Sequence, residues 1–142
     1  MLPLTKIMVF GTFDVLHKGH LNFFRQARAL SKKPFLTVSV ARDVNVERIK
    51  GKKSKNNEKK RLEAVKKISF VNKAVLGGVK NYLTHILKEK PEIIALGYDQ
   101  KAYVVGLKNA LESSGLSVKI KRLKAFKARI YKSSFLKNAR KK

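Results

Sequence analysis

The chain has 142 residues, 44% of them apolar, and sets 34 Lys and Arg against 9 Asp and Glu for a net charge of +25. That length suits one domain with a real core, and the composition excludes a chain disordered throughout. The absence of cysteine excludes disulfides, thiolate zinc sites and a cysteine nucleophile, while the charge favours anionic partners and speeds their encounter.

The apolar run Leu4–Phe10 predicts a buried strand, entered with no signal peptide before it. Lys18–Ser31 carries Leu21, Phe24, Ala27 and Leu30 at near-helical spacing, and Pro34 closes that helix. Phe35–Ala41 is rich in β-branched residues and predicts the second strand. Arg42–Lys55 is polar and lysine-rich and predicts a loop. Asn56 or Asn57 then caps a helix with Leu62, Val65 and Ile68 on one face. Lys73–Leu76 predicts a third strand closed by Gly77-Gly78. Val79–Lys90 predicts a helix turning Leu83, Ile86 and Leu87 inward, and Pro91 restarts the chain ahead of a fourth strand over Glu92–Leu96. Ala102–Ser114 predicts a helix ended by Gly115, and Ser117–Leu123 alternates as a strand with one solvated face. Phe126–Lys137 fits neither period, and Asn138–Lys142 is expected to be a disordered basic tail beyond a single domain over residues 1–137.

Strands alternating with helices predict an α/β fold: a Rossmann-like open parallel sheet of five strands, helices on both faces. With right-handed crossovers and order 3-2-1-4-5, strands one and four are neighbours where the order reverses, and ligands bind there beyond the carboxyl ends. Two polar segments fall at those ends, "GTFDVLHKGH" (residues 11–20) and "LGYDQ" (residues 96–100). No stretch reaches the roughly 18 apolar residues of a membrane span, and a cytoplasmic location is expected.

In the first segment Gly11 is expected to let the backbone approach a ligand closely. His17 precedes the predicted helix and His20 lies in its first turn, beside free N–H groups and a dipole that favour an anion. Imidazoles supply directed donors, and Gly19 keeps the space between them open. A polyphosphate suits this combination. A His-x-x-His zinc site is the competing reading, but only Asp14 offers itself as a third ligand; two ordinary surface histidines are the other. The lysines are spread along the chain, without the aromatic-basic interleaving of an RNA platform. A basic RNA-binding protein on the same fold stays open as an alternative.

The order Gly-Thr-Phe-Asp-x-x-His-x-Gly-His resembles the signature of the HxGH nucleotidylyltransferase superfamily, which includes cytidylyltransferases, phosphopantetheine adenylyltransferase and FMN adenylyltransferases. "ARDVNVERIKGKK" looks like the segment after strand two that supplies a nucleotide-contacting lysine, here Lys50. "KKRLEAV" looks like the Arg-x-x-x-Val helix, placing Arg61 and Val65. "VNKAVLG" and "PEIIALGYDQ" match the third and fourth strands with their loops, and "YKSSFLK" resembles the serine/threonine element that touches triphosphate. The likeness covers about residues 6–137. It implies transfer of a nucleoside monophosphate from an NTP to a phosphorylated acceptor with release of pyrophosphate. His17, His20 and Lys50 would be catalytic. Gly11, Thr12, Phe13, Asp14, Gly19, Arg61, Gly97, Asp99, Ser133 and Ser134 would bind the nucleotide. Mg2+ would arrive with the NTP, and no metal-ligand set is expected in the protein itself. "ARD", "GYDQ" and "SS" are most similar to the archaeal-type FAD synthases, which join FMN and ATP. The alternative is a glycerol-3-phosphate, or related alcohol phosphate, cytidylyltransferase using CTP. "ARIYKSSFLK" departs from the Arg-Thr-x-Gly-Ile-Ser-Thr-Thr ending of those enzymes, and the chain also lacks the cysteines associated with archaeal FAD synthases near this end. The resemblance also raises the expectation of a homodimer.

Overall fold

Five short segments rich in Val, Ile and Leu pair into one parallel sheet in a computed structural model that describes residues 3–79, 82–98, 100 and 106–125. In chain order the elements are β1 (Thr5–Gly11), α1 (Lys18–Arg28), β2 (Pro34–Val40), α2 (Asp43–Lys50), α3 (Glu58–Lys66), β3 (Lys73–Leu76), α4 (Tyr82–Glu89), β4 (Ile93–Leu96), α5 (Leu107–Ser113) and β5 (Lys119–Arg122). The sheet order is β3-β2-β1-β4-β5. β1 pairs with β2 along its whole length, from Thr5 opposite Pro34 to Gly11 opposite Val40, and with β4 through Ile7 and Met8. The expected α/β architecture and strand order are both present.

Strand alternation makes two cores. Ile7 and Val9 of β1, with Leu36, Val38 and Val40 of β2, pack against Phe24 and Ala27 of α1 and Val65 of α3. Met8 and Phe10, with Ile94 and Leu96 of β4, pack against Ile86 of α4 and Leu107 and Leu111 of α5. The central strands are thus covered on both faces, as continuous apolar runs require.

The loop expected over Arg42–Lys55 is corrected: Asp43–Lys50 is a helix. One turn of it is buried through Asn45 and Val46, too short a face to register as periodicity in a charged segment. Its ends carry the usual signals, Asp43 in the first turn, Arg48 and Lys50 in the last, and Gly51 as a left-handed C-cap with φ 75°. Helix α1 stops short of the expected Ser31 because its last turn tightens, Leu30 N–H donating to Ala27 O at 3.1 Å. Pro34 opens β2, the strand position that tolerates a missing N–H. Asn57, not Asn56, caps α3, its side chain accepting from Lys60 N–H at 2.9 Å. The expected basic tail lies outside the described residues.

Candidate active site

Beyond β1 the backbone must turn from strand to helix within six residues, and Phe13 makes that turn with φ 53°, a left-handed conformation unusual for a side chain of its size. Its ring folds back over Gly11: a Cβ there would lie 2.5 Å from Phe13 Cζ. Gly11 therefore makes room for a protein ring. The Phe13 ring then meets Phe24 of α1 at 5.2 Å and, T-shaped, the His20 ring at 5.4 Å between centroids.

His17 is the N-cap of α1, and it caps with its ring. Gly19 N–H donates to His17 Nδ1 at 3.0 Å, and His17 N–H donates to His20 Nδ1 at 3.2 Å. This is a capping box in which imidazoles replace the usual hydroxyl and carboxylate. The rings lie 4.0 Å apart between centroids, tilted by 33°. With each Nδ1 accepting, the neutral ring carries its proton on Nε2. The box thus selects one tautomer for both histidines and leaves two Nε2–H donors beside the helix N-terminus. Burial, followed by the neighbouring His17, pushes the His20 pKa down to about 4. His20 is a neutral donor at physiological pH.

Arg61 is nearly inaccessible, at 1% exposure. Its Nη1 donates to Thr12 O at 3.0 Å and Ala41 O at 2.8 Å, its Nε to Asn56 O at 3.0 Å, and its Nη2 to Asp43 Oδ1 at 2.6 Å. One guanidinium from α3 therefore holds the loop after β1, the loop after β2 and the start of α2. Asp14 adds a second tie. Its carboxylate accepts from Lys55 N–H at 2.6 Å and Asn56 N–H at 2.7 Å, and Asn56 Nδ2 donates to Asp14 O at 2.7 Å. The Asn56 amide, then that of Lys55, holds the Asp14 carboxyl below its ordinary pKa against desolvation, with help from the charges of Arg61 and Lys50. Both side chains are engaged by protein, so the structure gives them positions as braces rather than as open ligand groups. Asp43 and Glu58 complete the brace reciprocally, each carboxylate accepting the other's backbone N–H at 2.8 and 3.1 Å. Arg42 Nε lies 3.2 Å from Glu58 Oε2 as an ion pair without the alignment of a hydrogen bond.

The turn after β4 is brought to the end of β1 by a residue that motif reading passed over. Gln100 Nε2 donates to Phe10 O at 2.9 Å while its Oε1 accepts from Gly97 N–H at 2.8 Å. Arg122 at the end of β5 donates to Gly97 O and Gln100 O, each at 2.7 Å. Gly97 thus follows β4 at the same sheet end at which β1 runs into the histidine segment. Lys50 ends α2 as an exposed cation. Asp99, Ser133 and Ser134 lie outside the described residues. Among the described residues no three His, Cys, Asp or Glu side chains gather as a metal site.

Comparison with known proteins identifies the family. The family described as cytidylyltransferase-like matches residues 8–139. A protein named FAD synthase from Methanosarcina mazei is 42% identical over 120 residues, 84% of this chain and 77% of the relative. Another so named, from Aciduliprofundum boonei, is 38% identical over 123 residues, 87% of this chain and 80% of the relative. A solved structure from Thermoplasma volcanium, described as a lipopolysaccharide core biosynthesis protein, superposes with a TM-score of 0.78 at 34% identity, covering 86% of this chain and 98% of that one.

Two outcomes are expected. Arg61→Met should lower unfolding free energy by about 2–4 kcal/mol, because partly buried acceptors lose their donor. A urea midpoint within error of wild type would contradict the brace. Between about pH 6.5 and 4 the unfolded chain takes up a proton at His20 that the folded protein resists, so stability falls as pH drops through that window. His20→Gln keeps a capping side chain without that proton site and should lose less stability than wild type from about pH 7 to pH 5 in urea titrations; equal losses would contradict it.

Proposed function

The chain belongs to the cytidylyltransferase-like family, and from that membership we propose that it is an FMN adenylyltransferase, forming FAD and pyrophosphate from FMN and ATP. The observation that carries the reading is the pair of tautomer-locked imidazoles at the start of α1, in a chain 42% identical to a protein named FAD synthase. An FMN phosphate oxygen attacks the α-phosphorus of ATP in line. The new bond joins FMN to the adenylyl group as the bond to the β-phosphate breaks, and pyrophosphate departs with the electron pair. No covalent enzyme intermediate is needed, which agrees with a chain without cysteine.

Reactions of this kind are accelerated by positioning and by stabilising charge on phosphoryl oxygens. His17 and His20 donate Nε2–H hydrogen bonds to α-phosphate and departing β-phosphate oxygens. Being neutral, His20 gives a directed bond without demanding a counter-charge. The N-terminus of α1 adds its own positive end. Lys50 extends from the end of α2 as a mobile charge for the triphosphate. Arg61 is a positioning residue: it holds Thr12 and the loop after β2 where the substrates meet. Gly97 is assigned to the nucleotide's other wall, and Asp99, Ser133 and Ser134 are assigned nucleotide contacts from the family signature alone. A divalent cation accompanying ATP, Mg2+ by the chemistry of phosphate oxygens, would arrive with the triphosphate and would supply charge neutralisation. A cytoplasmic site of action is part of this proposal. Among the described residues no helix is long and apolar enough to cross a membrane.

Purified protein supplied with FMN, ATP and Mg2+ should release pyrophosphate and form FAD, and should do neither with CTP and glycerol-3-phosphate. His17→Asn keeps a capping side chain and should fold, yet lose about 10²–10³ in kcat, or about 2.7–4 kcal/mol; His20→Gln should behave alike. Turnover from CTP with glycerol-3-phosphate, or near-normal kinetics in both variants, would contradict the assignment.

A further inference from the structure

Sequence order scatters the positive charge, but the fold gathers part of it. Helices α1 and α3 together carry seven Lys and Arg against Glu58 and Glu63. Helices α4 and α5 carry Lys88 and Lys108 against Glu89 and Glu112. α1 and α3 cover the same face of the sheet, Phe24 and Val65 entering one core with Ile7, Val9 and Val38. Arg28 joins them: its Nη1 donates to Phe70 O at 3.1 Å and Asn72 Oδ1 at 2.7 Å, in the segment that leaves α3. Arg25 lies 4.9 Å over the Phe70 ring. The helical layer on one face is strongly basic, and that on the other is balanced.

Helix stability does not account for this placement. Lys59 and Lys60 stand in the first turn of α3, where the helix dipole disfavours cations. The four ion pairs among the described residues leave out Lys59, Lys60 and Lys67. The exposed pair Lys66–Glu63, at 3.7 Å, contributes little. Lys59, Lys60 and Lys67, with Glu63 and Ala64, line a broad open concavity of about 450 Å³. Substrate attraction does not require it either, since steering acts through the summed charge. Lys66 and Lys67 lie at the far end of a nine-residue helix, about 13 Å from the start that follows the Asn56 tie to Asp14.

We propose that the α1–α3 face is a docking surface for double-stranded RNA, holding its phosphate backbone without reading sequence. The surface is separate from the adenylyltransferase site and goes beyond that reading. Among the described residues the exposed large apolar side chains, Tyr98 included, all lie outside α1 and α3. This face therefore has no aromatic platform for the bases of a single strand and no apolar anchor for a membrane. The two helices lie flat against the sheet, and neither projects as does an element that enters the major groove of DNA. The wide, shallow minor groove of an A-form duplex presents its backbone to a flat basic face.

The test titrates the full chain into a labelled RNA duplex of about 20 base pairs over a series of salt concentrations. Wild type should bind with a Kd on the order of 10 µM at about 0.15 M salt. Lys59→Gln, Lys60→Gln and Lys67→Gln together should weaken binding about tenfold or more and lower the log–log salt slope by about three. FAD formation by the same variant should keep its kcat and KM within about twofold. Lys88→Gln, Lys108→Gln and Lys119→Gln together remove equal charge elsewhere and should cost less than about threefold in RNA affinity. No duplex binding by wild type, or equal losses in the two triple variants, would overturn the inference. So would tighter binding of duplex DNA, single-stranded RNA or phosphatidylglycerol vesicles. Displacement of the duplex by ATP at constant ionic strength would place the RNA in the nucleotide site instead and overturn it too.

Discussion

A helix start leaves backbone N–H groups without partners, and here two imidazoles attend to that end. The reciprocal bonds, Gly19 N–H to His17 Nδ1 and His17 N–H to His20 Nδ1, do more than stabilise α1. They use up the same nitrogen on each ring and so decide which nitrogen is left to donate. A serine-glutamate box would satisfy the helix equally well but leave only the serine hydroxyl as a donor. The left-handed Phe13 supports the arrangement, its ring filling the space left by Gly11 and making a T-shaped contact with His20. Helix capping thus fixes which donors this helix start presents.

Around this centre the strand-end loops are fastened by side chains that sequence reading assigns to the ligand. Arg61 spends its donors on three carbonyls and Asp43, and Asp14 spends its carboxylate on two backbone amides. Gln100 and Arg122 do the same for the turn after β4. Pre-fastened loops reduce the reorganisation needed when substrates bind, which is where such enzymes gain their rate. Most of the +25 charge is left for the surface, since four ion pairs are found among the described residues. Its effect on two anionic substrates is long-range attraction, a matter of encounter rate and ionic strength.

The sheet was legible because its signal is redundant: apolar runs at β1, β2 and β4, Gly or Pro at their boundaries, and a helical period between. Helix α2 was not, because its buried face amounts to Asn45 and Val46 within a segment of charges. The histidine pair was legible as a pair, from its spacing around a glycine and its place after a strand. Its tautomers were not, since they depend on hydrogen bonds between residues two and three apart that only folded backbone geometry creates. Arg61 and Asp14 show the general limit. Residue type and motif position are the same whether a cation or carboxylate meets a ligand or a carbonyl, and burial alone separates the two.

The tautomers of His17 and His20 test the central claim most directly. Long-range proton–nitrogen correlation at about pH 8, with assignments made by single substitution, separates protonated from unprotonated ring nitrogens. The reciprocal cap predicts a bare Nδ1 and a protonated Nε2 on both rings. A proton on Nδ1 of either ring would mean that the cap does not form in solution, and that the two donors are not set by the fold.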